Sequence, residues 1–462
     1  MEEAVAADIE TAESLVVPPA IVTATAITFL TFVQCNIISM GEFPYMTKLD
    51  TEATSQFFGF VTSMCRLGHA VFVVLFAFWS QHWKVSKIPL LAGRLVALLG
   101  CFLYLSVQFI PSNRRYALIF CYMLFGISSS TGPILRSCIV QKSTTKDRTK
   151  AFALFNTATV FAIILGPVCQ LIFSGIKYPG YHIIGEFYFH IYTAPIWMAL
   201  LLNIISIGVV FLFEEPKVEK KIEKENASFS LSMIKDKLTA IRSLPFHWPL
   251  VGMIILQKAF NHITTSSLAA TASPMMMSVF AFDGPSTLLV GCLALCLSAA
   301  FLFAHLGKMI SSRLLFALGL ILTSLQYVAS FPWPMWSHPL QPFNETSRTG
   351  CNPHEFSWCS TALTPSVWTW LPVCMLVMGL AIPATSISLD SIYSKALGTQ
   401  NQSVMQSVLI LAEDAVMVLG PLYAAGIFTW GGVSALWIGN GSFVLVALGL
   451  WFAMWPALEK YR

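Results

Sequence analysis

Stretches of twenty or so apolar residues alternate with short polar breaks along the whole chain, the length an α-helix needs to cross a bilayer. The spacing predicts helices at about 20–40, 56–79, 88–110, 116–140, 151–174 and 192–213. A second set follows at about 248–271, 285–306, 314–332, 367–389, 403–427 and 433–455. Between them lies a charged linker at 214–247, rich in alternating Lys and Glu, which reads as a solvated, partly helical connector. The pattern divides the chain into an acidic tail at 1–19, a six-helix bundle at 20–213, the linker, a second six-helix bundle at 248–455 with a long loop at 333–366, and a short tail at 456–462. The first tail has no basic segment before the apolar run, so it does not read as a cleaved signal peptide.

The two bundles echo each other. Leu165, Gly166 and Pro167 recur as Leu419, Gly420 and Pro421, and at the same offset Arg136 falls on Asp390 and Ser137 on Ser391. Each copy joins the fourth to the fifth helix of its set. The expectation is therefore an all-α membrane fold, two six-helix bundles related by a pseudo-two-fold. Gly166-Pro167 and Gly420-Pro421 interrupt helical hydrogen bonding and permit close helix approach, so they read as hinge or packing points.

Composition adds the class and the orientation. The 462 residues are 56% hydrophobic and 11% charged, with mean hydropathy +0.70, against roughly 25% charged residues in soluble domains. A net charge of +4 is too small to suggest nucleic acid as a partner. Its distribution says more: with the chain starting in the cytosol, eighteen Lys and Arg fall on the cytosolic side and five on the other, as the positive-inside rule requires. Both termini are then cytosolic, and the loop at 333–366 faces the opposite compartment. That loop holds a glycosylation sequon at Asn344, and Cys351 and Cys359, which in an oxidising compartment are expected to form a disulfide. His354 between them raises the thought of a metal, but no fourth ligand is evident and none is assigned. The sequons at Asn226, Asn401 and Asn440 fall in the cytosol or inside a helix and are expected to be silent.

The candidate chemistry lies in charges inside the apolar runs. Arg66, Arg94, Arg136 and Lys258 are the basic residues there, and Glu413 and Asp414 are acids in mid-helix. A charge near the bilayer centre costs at least about 2.5–3.5 kcal/mol, so such groups face a cavity or a partner. Lys258 and Glu413 sit about ten residues from the cytosolic starts of their helices, hence at one depth, and a carboxylate on helix eleven could pair with Lys258 or Arg66. His69 follows Arg66 by three residues and His262 follows Lys258 by four, so each pair shares a helix face. Two cationic faces with titratable imidazoles suit an anionic permeant. The competing readings are structural ion pairs between the bundles, and snorkelling of Lys258, Arg94 or Arg136 to the interface. Arg136 and Asp390, near the cytosolic ends of helices four and ten, read either as a gate locked by loop charges or as inert interfacial groups.

No P-loop, HExxH or GxSxG is present, so neither nucleotide-driven pumping nor these hydrolytic chemistries are expected. A wider set of residues points to a family: Phe43-Pro44-Tyr45, Lys48-Leu49-Asp50, Leu67-Gly68, Trp79-Ser80, Gly126, Arg136-Ser137, Asp147-Arg148-Thr149 and Leu165-Gly166-Pro167-Val168, then Gly350-Cys351, Trp358-Cys359, Tyr393-Ser394-Lys395, Leu397-Gly398 and Leu419-Gly420-Pro421. From about Phe32 to Trp455 the chain resembles the major facilitator superfamily, and within it the lysosomal facilitator-domain proteins of the neuronal ceroid lipofuscinosis type. The resemblance implies a glycosylated twelve-helix protein of the lysosomal or endosomal membrane that passes anions, chiefly chloride, with Arg136 falling on the family's helix-four arginine. The family's Gly-x-x-x-Asp loop after helix two is replaced by Ala77 to Lys87, with Gln81 and His82 and no acid. Arg66 and the Glu413-Asp414 pair have no counterpart in that pattern.

The expectation is a transporter of a small solute, with an anion favoured by Arg66, Lys258 and Arg136, no cofactor, and the lipid bilayer as its surroundings. A proton-coupled organic solute carrier is the first alternative and needs Glu413 or Asp414 to face the pathway. A scaffold that keeps the fold without transport, and binds proteins through its loop and linker, is the second. The topology carries its own test. Glycosidase digestion should shift the electrophoretic mobility of the membrane-expressed protein, and Asn344→Gln should abolish that shift.

Overall fold

The computed structural model describes residues 18–38, 41–83, 85–142, 148–184, 187–215, 248–282, 310–397 and 402–459. The tail at 1–17, most of the linker, the helix expected at 285–306 and the sequons at Asn226 and Asn401 lie outside the described residues.

The first half comprises α1 (Pro19–Asn36), a short α2 (Glu42–Leu49), α3 (Ser55–Trp83), α4 (Lys87–Ser106), α5 (Arg114–Ser129), α6 (Gly132–Lys142), α7 (Arg148–Ile172) and α8 (Ala194–Leu212). A small antiparallel hairpin, β1 (Tyr181–Ile184) and β2 (Phe187–Phe189), links α7 to α8. The second half comprises α9 (Trp248–Ser278), α10 (Ser312–Ala329), α11 (Val367–Leu397), α12 (Gln402–Ala453) and a terminal turn, α13 (Trp455–Glu459). The long loop between α10 and α11 is tied at its ends by β3 (Ser337–Pro339) and β4 (Leu363–Pro365). Among the described residues, eight helical stretches are long and apolar enough to cross a membrane.

Several boundaries differ from the sequence reading: α9 and α11 each run about two turns past their expected ends, and two further differences have local causes. The helix expected at 116–140 is broken at Ser130–Thr131 into α5 and α6. The Ser128, Ser129 and Ser130 hydroxyls each donate to the carbonyl three residues back, at 2.6–2.9 Å, and Pro133 lacks an N–H at the start of α6. Both features compete with continued helix. The last two expected helices appear as α12, which runs past the apolar length of one crossing and turns at Gly432, where φ is 66°. Only glycine sits comfortably there, and a Cβ would lie 2.9 Å from the Trp358 indole.

Within each half the helices pack on aromatic-rich cores. In the first half Tyr45 stacks between Tyr104 and Tyr192, at 5.6 and 5.4 Å. In the second, Phe316 lies 4.2 Å from Trp451, and the Trp437 indole donates to Ser330 Oγ at 2.7 Å. Outward-facing Leu99, Phe120, Leu201, Phe211 and Leu445 are exposed, the surface a bilayer covers. The halves meet where α3 packs on α12 and α9 on α2 and α3.

The duplicated Leu-Gly-Pro segments occupy matching places. Gly166 of α7 lies against Asn36 of α1, and Gly420 of α12 lies against Ser266 of α9. The fifth helix of each half thus approaches the first helix of the same half at its glycine. The neighbours differ in kind. A Cβ at Gly166 would stand 2.6 Å from the Asn36 backbone carbon, which cannot turn away. A Cβ at Gly420 would meet chiefly the Ser266 side chain, which can rotate. Gly166→Ala is therefore expected to cost about 1–3 kcal/mol as overpacking, and Gly420→Ala less. Thermal unfolding of the purified protein checks the order, and Ser266→Ala should restore stability in the Gly420→Ala background.

Candidate functional site

A cavity of about 460 Å3 opens between the two halves, within the ~300–1,000 Å3 typical of small-molecule sites. Gln34, Cys35 and Asn36 of α1, Glu42 of α2, Thr62, Arg66 and His69 of α3, and Tyr122 and Ser129 of α5 form one wall. Ser266, Ala269 and Ala270 of α9 and Pro421 of α12 form the other. Thr62, Arg66 and His69 fall at helical spacing on one face of α3, which delivers all three to the same space. Arg66 forms no ion pair among the described residues, yet it lies within Coulombic reach of Glu42, His262 and Asp414. The guanidinium is therefore available to a solute.

His69 Nδ1 lies 3.0 Å from Ser129 Oγ. Ser129 Oγ itself donates to the Gly126 carbonyl at 2.8 Å, so its proton is committed and His69 Nδ1–H is the donor. The imidazole then leaves Nε2 as an acceptor. Glu42, by sequence an acid just past helix one, is held in the cavity wall by a hydrogen bond from Tyr122.

The second cluster belongs to the second half. Lys258 of α9, only 4% exposed, contacts Asp390 Oδ1 of α11 at 2.6 Å and Glu413 Oε1 of α12 at 3.3 Å. His262 Nε2 stands 3.7 Å from Glu413 Oε2. Three helices are thereby tied by one ammonium. Glu413 is the partner that equal depth suggested; Asp390 is the partner the sequence reading missed. That reading ended helix ten at the first charge, but α11 continues to Leu397, about two turns further. The signal was present: Lys258 lies ten residues in from the start of α9, and Asp390 lies seven from the end of α11.

Arg94 and Arg136 are placed apart from both clusters. Arg94 is 1% exposed, so it does not snorkel; its Nη2 donates to the Ser128 carbonyl at 2.9 Å, at the C-terminal end of α5. A cation suits that end of a helix. Arg136 is exposed on α6, its guanidinium 5.8 Å from the Phe155 ring centroid. Asp390 pairs with Lys258 rather than with loop charges, so the two residues matched by the repeat do different work.

The long loop of the second half closes onto the first half. Cys351 and Cys359 form a disulfide that rounds off the tip of the long loop. From this loop Glu355 Oε1 accepts from the Ser55 backbone N–H at 2.6 Å, and Arg348 Nη1 donates to the Thr47 carbonyl at 3.0 Å, both in the first half. Ser55 Oγ also meets Thr429 Oγ1 at 3.1 Å, and the Trp358 indole donates to the Phe428 carbonyl at 3.0 Å. A loop of the second half thus clasps the start of α3.

The sequence profile described as Major Facilitator Superfamily matches residues 24–341. The major facilitator superfamily domain-containing protein 8 of Xenopus laevis is 26% identical over 437 residues, covering 87% of this chain and 84% of that protein. Among solved structures, the inward-open xylose transporter XylE from E. coli superposes with a TM-score of 0.64 at 10% identity, covering 93% of this chain and 95% of its own. An inward-facing bacterial homolog of the human lysosomal transporter Spinster gives 0.63 at 13% identity, covering 96% and 98%.

The loop contact carries a pH prediction. Burial raises the Glu355 carboxyl above its ordinary value, and the hydrogen bonds from Ser55 offset this only in part. A carboxyl whose pKa is higher when docked holds its proton more tightly there, so docking is favoured at low pH and weakens as pH rises through the raised value. Protection of the Ser55 amide in hydrogen exchange, corrected for intrinsic rate, should therefore fall from acidic to neutral pH. Glu355→Gln, which keeps the acceptor and loses the titration, should flatten that dependence.

Proposed function

Since the chain belongs to the Major Facilitator Superfamily, whose members move small solutes across membranes, we propose that its solute carries negative charge and passes through the cavity between the halves. The observation that carries this reading is Arg66, a guanidinium in the cavity wall with no ion pair among the described residues. A cation left unpaired at this depth is costly unless water or an anion meets it. Lys258 contributes differently, being already shared by two carboxylates. Chloride is the anion that the family resemblance puts first, and the endolysosomal membrane the location. The excess of cytosolic Lys and Arg, the sequon at Asn344 and the disulfide in the opposite loop support an oxidising lumen on that side.

A second reading has its own observation. Two carboxylates and an imidazole around one ammonium hold more negative charge than Lys258 neutralises, so the Asp390–Lys258–Glu413–His262 cluster suits a proton coupled to solute movement. The two readings are compatible in one carrier. A solute-sized cavity lined from both halves supports transport over a scaffold role.

The test is flux into vesicles reconstituted with the purified protein, across a panel of inorganic and organic anions, at lysosomal and neutral pH. Arg66→Ala should lower anion flux by about tenfold or more, the loss of one charge-assisted contact. Lys258→Ala should reduce flux and also stability, because it leaves Asp390 and Glu413 without their cation. If both variants keep every wild-type flux, Arg66 and Lys258 do not serve the pathway.

A further inference from the structure

The cavity holds a second ionisable group besides Arg66 on the wall formed by the first half. Glu42, on the short α2 directly after α1, lines the same space as Arg66, His69 and Tyr122. Glu42 and Arg66 are within Coulombic reach of one another, yet neither forms an ion pair among the described residues. Glu42 sits in the first turn of α2, bonded by Tyr122, and Arg66 sits on α3, so the two groups line the space from different helices.

We propose, taking the transporter reading as given, that the solute is a small amphoteric organic molecule, with an anionic group on Arg66 and a cationic or strongly hydrogen-bonding donor group on Glu42. Three further features of the wall fit such a solute better than a bare halide. The volume of about 460 Å3 far exceeds what one halide needs. Phe32, Phe125, Ile196 and Ala270 line it as an apolar surface for an organic body. His69 Nε2 adds an acceptor, which a halide cannot use. Glu42 becomes the residue that sets specificity, because a monoanion gains nothing from a carboxylate in its site and meets repulsion when that carboxylate is ionised.

The experiment pairs two probes that differ by one charge. Proteoliposomes containing the full chain are offered a labelled neutral dipeptide with a free amino terminus, its N-acetylated form, and chloride. Binding is read in parallel as the thermal shift each probe gives to wild-type protein, which needs no variant to fold. The expected result is that the free-amine dipeptide is taken up and stabilises the protein more than its acetylated form. Glu42→Gln should then lower the ratio of free-amine to acetylated uptake by about tenfold. If the acetylated form or chloride is carried and the free-amine form is neither bound nor preferred, the amphoteric assignment falls and the anion reading stands. If wild-type protein moves none of the three and none shifts its melting, both readings fall together.

Discussion

Ionisable groups taken out of water into a low-dielectric interior must be neutralised, hydrated or met by a ligand, and this requirement shapes the centre of the molecule. The chain answers it in two ways. In the second half, Lys258 is enclosed by Asp390 and Glu413, with His262 beside them, so three helices converge on one point. In the first half, Arg66 and Glu42 both line the cavity wall without an ion pair among the described residues. One half closes its charges into a structural knot and the other presents them. The duplicated architecture therefore carries an unequal distribution of chemistry, with the cavity-facing Arg66 and Glu42 on the first half and the internal pairing on the second.

The shared geometry of the halves rests on small residues where the fifth helix of each meets the first. Gly166 and Gly420 allow α7 to lie on α1 and α12 on α9 closely enough for backbone and short side chains to touch. Among apolar helices in lipid, packing of this kind replaces the hydrophobic drive that would join helices in water. Once those pairs are fixed, the cavity forms between the faces that remain, and α3 and α12 come together across the seam.

Much of this was legible in the sequence. The apolar period and length located the described crossing helices, though α9 and α11 run about two turns past their expected ends, and the repeated Leu-Gly-Pro marked corresponding helices. Equal depth along α9 and α12 anticipated Lys258 with Glu413. What escaped was of two kinds. Asp390 was assigned to a helix end because charge normally marks the end of an apolar run; its buried partner, on a helix 132 residues away, lets the helix continue. Glu42 was not singled out at all, since nothing local in Gly41-Glu42-Phe43 shows that the chain turns back into the interior. Both misses concern tertiary neighbours, which hydropathy and periodicity along a single chain do not encode. The break at Ser130–Thr131 was visible as a run of hydroxyl residues before a proline, but the surrounding apolar length masked it.

That break gives the two halves different mechanical characters. A rod interrupted in its middle bends there at little cost, since the hydrogen bonds that would resist flexing are already redirected to Ser128, Ser129 and Ser130 side chains. Arg94 and His69 both hold the α5 side of the joint, through the Ser128 carbonyl and the Ser129 hydroxyl. Anything that pulls on His69 from the cavity therefore pulls on the elbow itself. The first bundle thus carries a joint beside the cavity, where the second carries a brace at Lys258.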